Sequence, residues 1–238
     1  MIINVIPMDI THVTPDIRML RFAVGQAYAV RLPDGWALVD TGIAGSEGDI
    51  LDALAGLGCA PGDLREIVLT HSHGDHTGSA AALAAATGAR VLAGAADAPV
   101  IRGEAPEPPP VLLDFEVPLH ASITPHVPPA PPSPVHRELV DGDTLGWGQE
   151  ARIVHVPGHT AGSVAVHLPA AKALFTGDTI ASHEGAAILG IFNVDREQSI
   201  ASFRRQAALD IETACFGHGD PIVQGAGDAL RATAADLR

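Results

Sequence analysis

The stretch Thr70-His71-Ser72-His73-Gly74-Asp75-His76-Thr77-Gly78 constrains this chain more than any other. It sets three histidines and an aspartate within six residues, directly behind the apolar run Ile67-Val68-Leu69. A short apolar run of this kind reads as a buried strand. The polar cluster then falls in the loop at a strand's C-terminal end, where α/β folds assemble their sites. On extended backbone, residues two apart share a side, so His71 and His73 aim at one point. Asp75 and His76 turn the chain and offer an oxygen and a nitrogen to a second point close by. Neutral imidazole and carboxylate suit zinc, iron or manganese. A histidine-rich solvated loop is the bland alternative, and four ligand-type residues this close together argue against it.

The arrangement recurs. Trp36-Ala37-Leu38-Val39 runs into Asp40-Thr41-Gly42, and the strand at 151–156 runs into Pro157-Gly158-His159-Thr160-Ala161-Gly162-Ser163. Ala173-Leu174-Phe175-Thr176 meets Gly177-Asp178-Thr179, and Ala214-Cys215-Phe216 meets Gly217-His218-Gly219-Asp220-Pro221. Five apolar runs thus end on Asp40, His71, His159, Asp178 and His218, and the glycines in these turns let backbones crowd together. Asp40 has two readings from its position alone. It is a turn or cap residue, or the outer carboxylate that fixes the tautomer of a metal-bound histidine.

Around these turns the chain alternates element types. Strands are predicted at 1–7, 17–22 and 27–32, with Pro33-Asp34-Gly35 as a hairpin turn. A helix is predicted at 46–57, with Ser46 and Asp49 placed like a capping box. An alanine-rich helix at 77–87 ends on Gly88, a strand follows at 90–93, and later helices are predicted at 195–209 and about 228–237. Hairpins followed by βαβαβ imply a mixed sheet with helices outside, an α/β architecture in a single domain over 1–238. Residues 99–134 hold twelve of the nineteen prolines. Such a segment is excluded from helix and from sheet interior. It is expected to be an extended surface insertion at about 99–136, acting as a lid, with Val111-Leu112-Leu113-Asp114-Phe115 packed down onto the body. His120, His126 and His136 have no ligand spacing and read as solvated surface residues.

Charge narrows the partners. With 28 acidic against 14 basic residues the net charge is −14. That disfavours nucleic acid and anionic membranes, and leaves a small-molecule substrate. The start of the chain has no signal-peptide pattern, and no apolar stretch is long enough to cross a bilayer. Cys59 and Cys215 lie far apart and read as reduced thiols, so a cytoplasmic location is expected. The apolar, alanine-rich composition is compatible with a homodimer.

Taken in order, LVDTG, HSHGDH, PGHTAGS, FTGDT and FGHGDP resemble the motif series of the metallo-β-lactamase-fold hydrolase superfamily. The resemblance runs over essentially the whole chain. It implies an αββα sandwich, two mixed sheets face to face with helices outside and metals at one edge. It implies His71, His73 and His159 on a first metal, Asp75, His76 and His218 on a second, Asp178 bridging both, and Asp40 as the outer carboxylate. Two zinc ions per chain are implied, with iron or manganese as alternatives. Asp75 is the implied proton-handling residue beside a metal-bridging hydroxide that attacks a carbonyl.

The superfamily covers several chemistries, and some are disfavoured here. The chain offers no basic surface for a nuclease, no flavodoxin-like extension for oxygen reduction, and aspartate (Asp75) where the commonest zinc β-lactamases carry cysteine. Only a short stretch follows Pro221, without the basic helical region by which glyoxalase II takes glutathione, which disfavours glutathione thioesters. A dinuclear zinc hydrolase of an ester, thioester or lactone is the leading reading. A mononuclear iron persulfide dioxygenase, a β-lactamase-like activity and a non-catalytic metal-binding relative are the alternatives. His183 and Tyr28 are candidate pocket residues, with ordinary packing or surface exposure as the competing reading. The prolines and Ile188-Leu189-Gly190-Ile191-Phe192-Asn193 are expected to shape an apolar pocket.

Overall fold

The computed structural model describes residues 8–148 and 150–238; the strand expected at 1–7 lies outside them. The described residues open with four antiparallel strands, β1 (Asp9–Thr14), β2 (Ile17–Arg21), β3 (Gln26–Leu32) and β4 (Gly35–Val39). Then come α1 (Glu47–Gly56), β5 (Leu64–Leu69), the single turn α2 (Gly74–Thr77), α3 (Ala80–Thr87) and β6 (Arg90–Gly94). The short helices α4 (Ala98–Ile101) and α5 (Glu116–Ile123) precede β7 (Arg137–Leu139). Strands β4 to β7 pair in parallel, completing a mixed sheet in the order β1-β2-β3-β4-β5-β6-β7.

A second sheet is built from β8 (Arg152–His155), β9 (Val164–Leu168) and β10 (Ala173–Phe175). The strands β11 (Ile180–His183) and β12 (Ala186–Leu189) form a separate hairpin. Helix α6 (Arg196–Ala207), strand β13 (Thr213–Cys215) and helix α7 (Ala226–Asp236) finish the chain. The second sheet runs β13-β10-β9-β8, with β10 and β13 parallel.

Alternation along the strands explains the layers. From β2 to β5, Met19, Tyr28, Val30, Val39 and Val68 face Ile153, Val166, Phe175 and Cys215 of the other sheet in one buried layer. Their sequence neighbours Leu20, Ala29, Leu38 and Ile67 face outward onto Ile50, Leu54 and Leu83 of α1 and α3. On the far side Ala165 and Leu174 meet Phe203, Ala207 and Leu230 of α6 and α7. The result is the expected αββα sandwich of two mixed sheets.

Several local expectations change. Ser46 precedes α1 but takes helical backbone angles (φ −88°, ψ −2°) and makes no side-chain cap. Its N–H donates to Ser79 Oγ at 3.0 Å, so a tertiary partner replaces the capping box. The predicted helix at 77–87 divides into α2 and α3 at Gly78 and Ser79, where the Gly78 N–H donates to the Gly42 carbonyl at 2.9 Å. Asp195 does cap α6, accepting from the Gln198 N–H.

The proline-rich segment is not helix-free. Pro99 and Pro118 lie in the first turns of α4 and α5, where the missing N–H would have had no partner inside the helix anyway. Nor do the apolar side chains of 111–115 pack down, since Val111 is 69% and Phe115 63% exposed. The segment docks instead through polar groups. The Val111 N–H donates to the Asn193 carbonyl, and the buried Glu116 carboxylate accepts from the Leu113 and Phe192 N–H groups. His136 is exposed but occupied, its Nδ1 accepting from the Val91 N–H at 2.9 Å. Among the described residues no helix is long and apolar enough to cross a membrane.

Candidate metal centre

The C-terminal ends of β4, β5, β8, β10 and β13 deliver Asp40, His71, His159, Asp178 and His218 to one edge of the sandwich. His73 keeps extended backbone (φ −62°, ψ 148°) just before α2, so His71 and His73 turn toward the same point. Asp75 and His76 follow on α2.

Two groupings result, with Asp178 between them. His73 Nδ1 lies 3.1 Å from His71 Nε2 and 2.9 Å from His159 Nε2. In the second grouping Asp75 Oδ2 lies 3.2 Å from His218 Nε2 and 3.6 Å from His76 Nε2. Asp178 Oδ2 is 3.1 Å from His218, 3.7 Å from His159 and 4.0 Å from His71, and its Oδ1 is 3.3 Å from His76. The triads His71–His73–His159, His71–His76–Asp178 and Asp75–His76–His218 each have their ligand atoms close enough to share one ion.

The donor set fits a divalent cation. Three imidazole nitrogens facing one another cannot satisfy each other with hydrogen bonds alone. His76 Nε2 and Asp178 Oδ1 are buried and have no hydrogen-bond partner despite their proximity, a costly arrangement unless a cation binds there. His71, His73, His159, Asp75, His76, Asp178 and His218 could therefore hold one or two metal ions. Burial, helped by His76, holds the His71 imidazole well below its ordinary range, and burial with His73 beside it brings His159 down to about 3. Both stay neutral, the form in which imidazole ligates. Burial alone would raise the two aspartates, but His76 and His218 hold Asp75 down at about 2 and Asp178 well below the usual carboxylate range. The same charges outweigh burial at the histidines, lifting His76 well above its ordinary range and His218 to about 10.

Asp40 lies just outside the cluster, where the resemblance expects an outer carboxylate. Its Oδ2 lies 2.9 Å from His76 Nδ1 and accepts from Thr70 Oγ1 at 2.8 Å, while Oδ1 accepts from the Thr70 N–H at 2.7 Å. Thr70 Oγ1 lies 2.9 Å from His71 Nδ1, so one buried pair orients two ring systems. Gly217 is needed for close approach, since a Cβ there would collide with Asp178 Oδ1 and His76.

A further carboxylate escapes the sequence reading. Asp97, just past β6, is buried and accepts from the Ser72 N–H at 3.0 Å, Thr160 Oγ1 at 2.6 Å and the Gly162 N–H at 2.8 Å. It ties the His71–His73 loop to the His159 loop. Its signal was a ligand-type residue shortly after an apolar run, the kind of position that singled out the other five.

The cluster opens into a cavity of about 970 Å³. His73 and His218 are its most accessible ligand-type side chains, at 22% and 37% exposure, against 2% or less for His71, His76 and His159. Val127, Pro128, Ile188, Ile191 and Phe192 form much of the wall, and the exposed His183 lies on its rim. Tyr28 does not reach it. Its ring is buried between the sheets, and its hydroxyl donates to the Phe216 carbonyl, which Gln26 Nε2 also holds. Tyr28 supports the His218 loop from below. His120, read as a solvated residue, lines the cavity and packs edge-on against Phe192 with ring centres 5.0 Å apart. Neither cysteine is a nucleophile here, since burial raises the Cys215 thiol far above its usual range and Cys59 to about 11.

Comparison with known proteins agrees with this fold. The hydroxyacylglutathione hydrolase of Cereibacter sphaeroides is 36% identical over 173 residues, covering 72% of this chain and 53% of that protein. The chain thus spans about half the length of the curated relatives it matches. A metallo-β-lactamase of Cronobacter sakazakii with the HARLDQ motif superposes with a TM-score of 0.74 at 21% identity, over 98% of this chain and 92% of that one. At that identity the likeness speaks for the fold alone. The protein TTHA1623, solved in a di-iron-bound form, is 28% identical with a TM-score of 0.65, over 90% of this chain and 93% of that one. The family model of the metallo-beta-lactamase superfamily matches residues 20–218, and the chain belongs to that superfamily.

Proposed function

We propose that the chain is a metal-dependent hydrolase acting on a thioester, or on the related ester or lactone carbonyl. The observation that carries this reading is the convergence of seven ligand-type side chains, three of them with orphaned buried atoms, at the floor of an apolar cavity. The name of the Cereibacter sphaeroides relative, a hydroxyacylglutathione hydrolase, supports the thioester class.

Divalent cations bound there would supply a water acidified to a pKa of about 7 and a Lewis acid for the carbonyl oxygen. The protein does the rest. Asp75 Oδ2, between His76 and His218, would orient the attacking water and pass its proton on. Asp40 and Thr70 hold Nδ1 of His76 and of His71, so that the inward Nε2 of each ring is the nitrogen left to face a bound cation. Apolar walls orient the acyl part and exclude bulk water from the reacting carbon.

Two zinc ions per chain are the favoured content. A di-iron-bound neighbour at 28% identity supports iron as the second choice. Elemental mass spectrometry of protein purified without added metal, followed by thioester and lactone assays, tests the reading. Two zinc or iron atoms per chain with hydrolysis supports it. One iron with oxygen uptake on persulfides replaces it with dioxygenase chemistry. No stoichiometric metal, even after zinc is offered, overturns it.

A further inference from the structure

The cavity wall carries one carboxylate that belongs to none of the ligand triads. Glu107, in the proline-rich segment, places Oε1 3.0 Å from Ser72 Oγ, which donates to it, and 3.7 Å from His73 Nε2. It therefore stands beside the histidine at the open side of the cluster, with 43% of its side chain exposed to the cavity mouth. Among the described residues lining the cavity, Arg21 is the one lysine or arginine, and it is ion-paired with Asp220. The rest of that wall is largely proline, glycine and aliphatic. Glu107 is thus a wall carboxylate with no lysine or arginine paired to it among the described residues, at the open side of the cluster.

Resting on the reading of this site as a carbonyl hydrolase, we infer that Glu107 sets the charge preference of the cavity. It admits thioesters whose thiol part is neutral or cationic and selects against those whose thiol part is an anion. Glutathione, with its two carboxylates, falls in the disfavoured class. The physical basis is Coulombic. A like charge brought within several ångströms of a half-exposed carboxylate costs on the order of tenfold in binding, and an opposite charge gains a comparable factor.

The test uses three butyryl thioesters that differ in thiol charge: thiocholine (cation), N-acetylcysteamine (neutral) and 3-mercaptopropionate (anion). Metal-loaded wild-type protein and E107Q are compared by thiol release, with metal content measured on both. The wild type is expected to rank cation above neutral above anion in kcat/KM. In E107Q the anion-to-cation ratio should rise about tenfold or more, with the neutral substrate and the metal content little changed. An equal change for all three substrates, or none, overturns the assignment and leaves the hydrolase reading intact. No hydrolysis of any of the three by metal-loaded wild type overturns the thioester reading, and this inference with it.

Discussion

The floor and the roof of the cavity are held by opposite means. On the floor His71, His76 and His159 are nearly sealed from solvent, and Asp40, Thr70 and Asp97 fasten the loops that carry them through buried side-chain hydrogen bonds. The roof, from 99 to 134, turns Val111, Leu113, Phe115 and Val117 outward and is held chiefly by main-chain bonds and one buried carboxylate, Glu116. The floor is over-determined, as a site that must hold charge in a fixed geometry requires. The roof can change side chains at little cost, so substrate preference can drift while the chemistry stays put.

The contrast is broken most severely at the residue shared by both ligand groupings. D178N should lower metal content and cut activity by more than the roughly 10–100-fold typical of outer partners, read by elemental analysis and turnover. D40N, which leaves the ligand set intact, should weaken metal affinity by about 10–100-fold in chelator competition. An unchanged affinity would reduce Asp40 to a turn residue.

Acidity probes the floor without mutation. In the metal-free protein His218 is raised from 6.5 to about 10, so its contribution to stability is complete below pH 6.5 and lost as pH climbs toward 10. His159 is lowered from 6.5 to about 3, so the unfolded chain binds the extra proton and stability falls as pH drops below 6.5. Melting temperature of the metal-free protein should therefore peak near pH 6.5. Added zinc should raise the alkaline limb most, because ligating nitrogens are already deprotonated there.

The roof should respond more mildly. E116A strands the Leu113 and Phe192 N–H groups, costing about 1–3 kcal/mol, or a melting shift of a few degrees. It should raise KM and leave metal content unchanged. Smallest of all, F115S on the outer face should move stability by less than about 0.5 kcal/mol and alter neither kcat nor metal content. A larger loss would mean that the outer face is covered in solution.

This division also explains what could be read from the sequence. Strand-end ligands were legible because β alternation and glycine turns leave a regular mark, and the polar runs after β4, β5, β8, β10 and β13 all lead to the same edge. Asp97 carried a weaker mark after β6, since it stands between alanines without the glycine turn that follows the other strands. The roof was opaque. Proline forbids helix interiors but not first turns, so α4 and α5 were missed. His120 reaches the cavity from the short helix α5 and Glu107 from the loop before it, a path that no periodicity encodes. Of the two readings of Tyr28, ordinary packing holds, because strand β3 faces both the site edge and the inter-sheet core, and only packing decides which.

The origin of the ligands has a consequence for how the chain reaches its folded state. His71, His73, Asp75 and His76 follow a strand of the first sheet, and His159, Asp178 and His218 follow strands of the second. Each triad draws on both. A chain with only one half formed can offer no complete coordination set, so ion binding reports that the halves have docked in register. Binding free energy at such a place is assembly free energy. A chelator should then do more than silence the protein: it removes a bolt between its two halves and lets each unfold with less regard for the other.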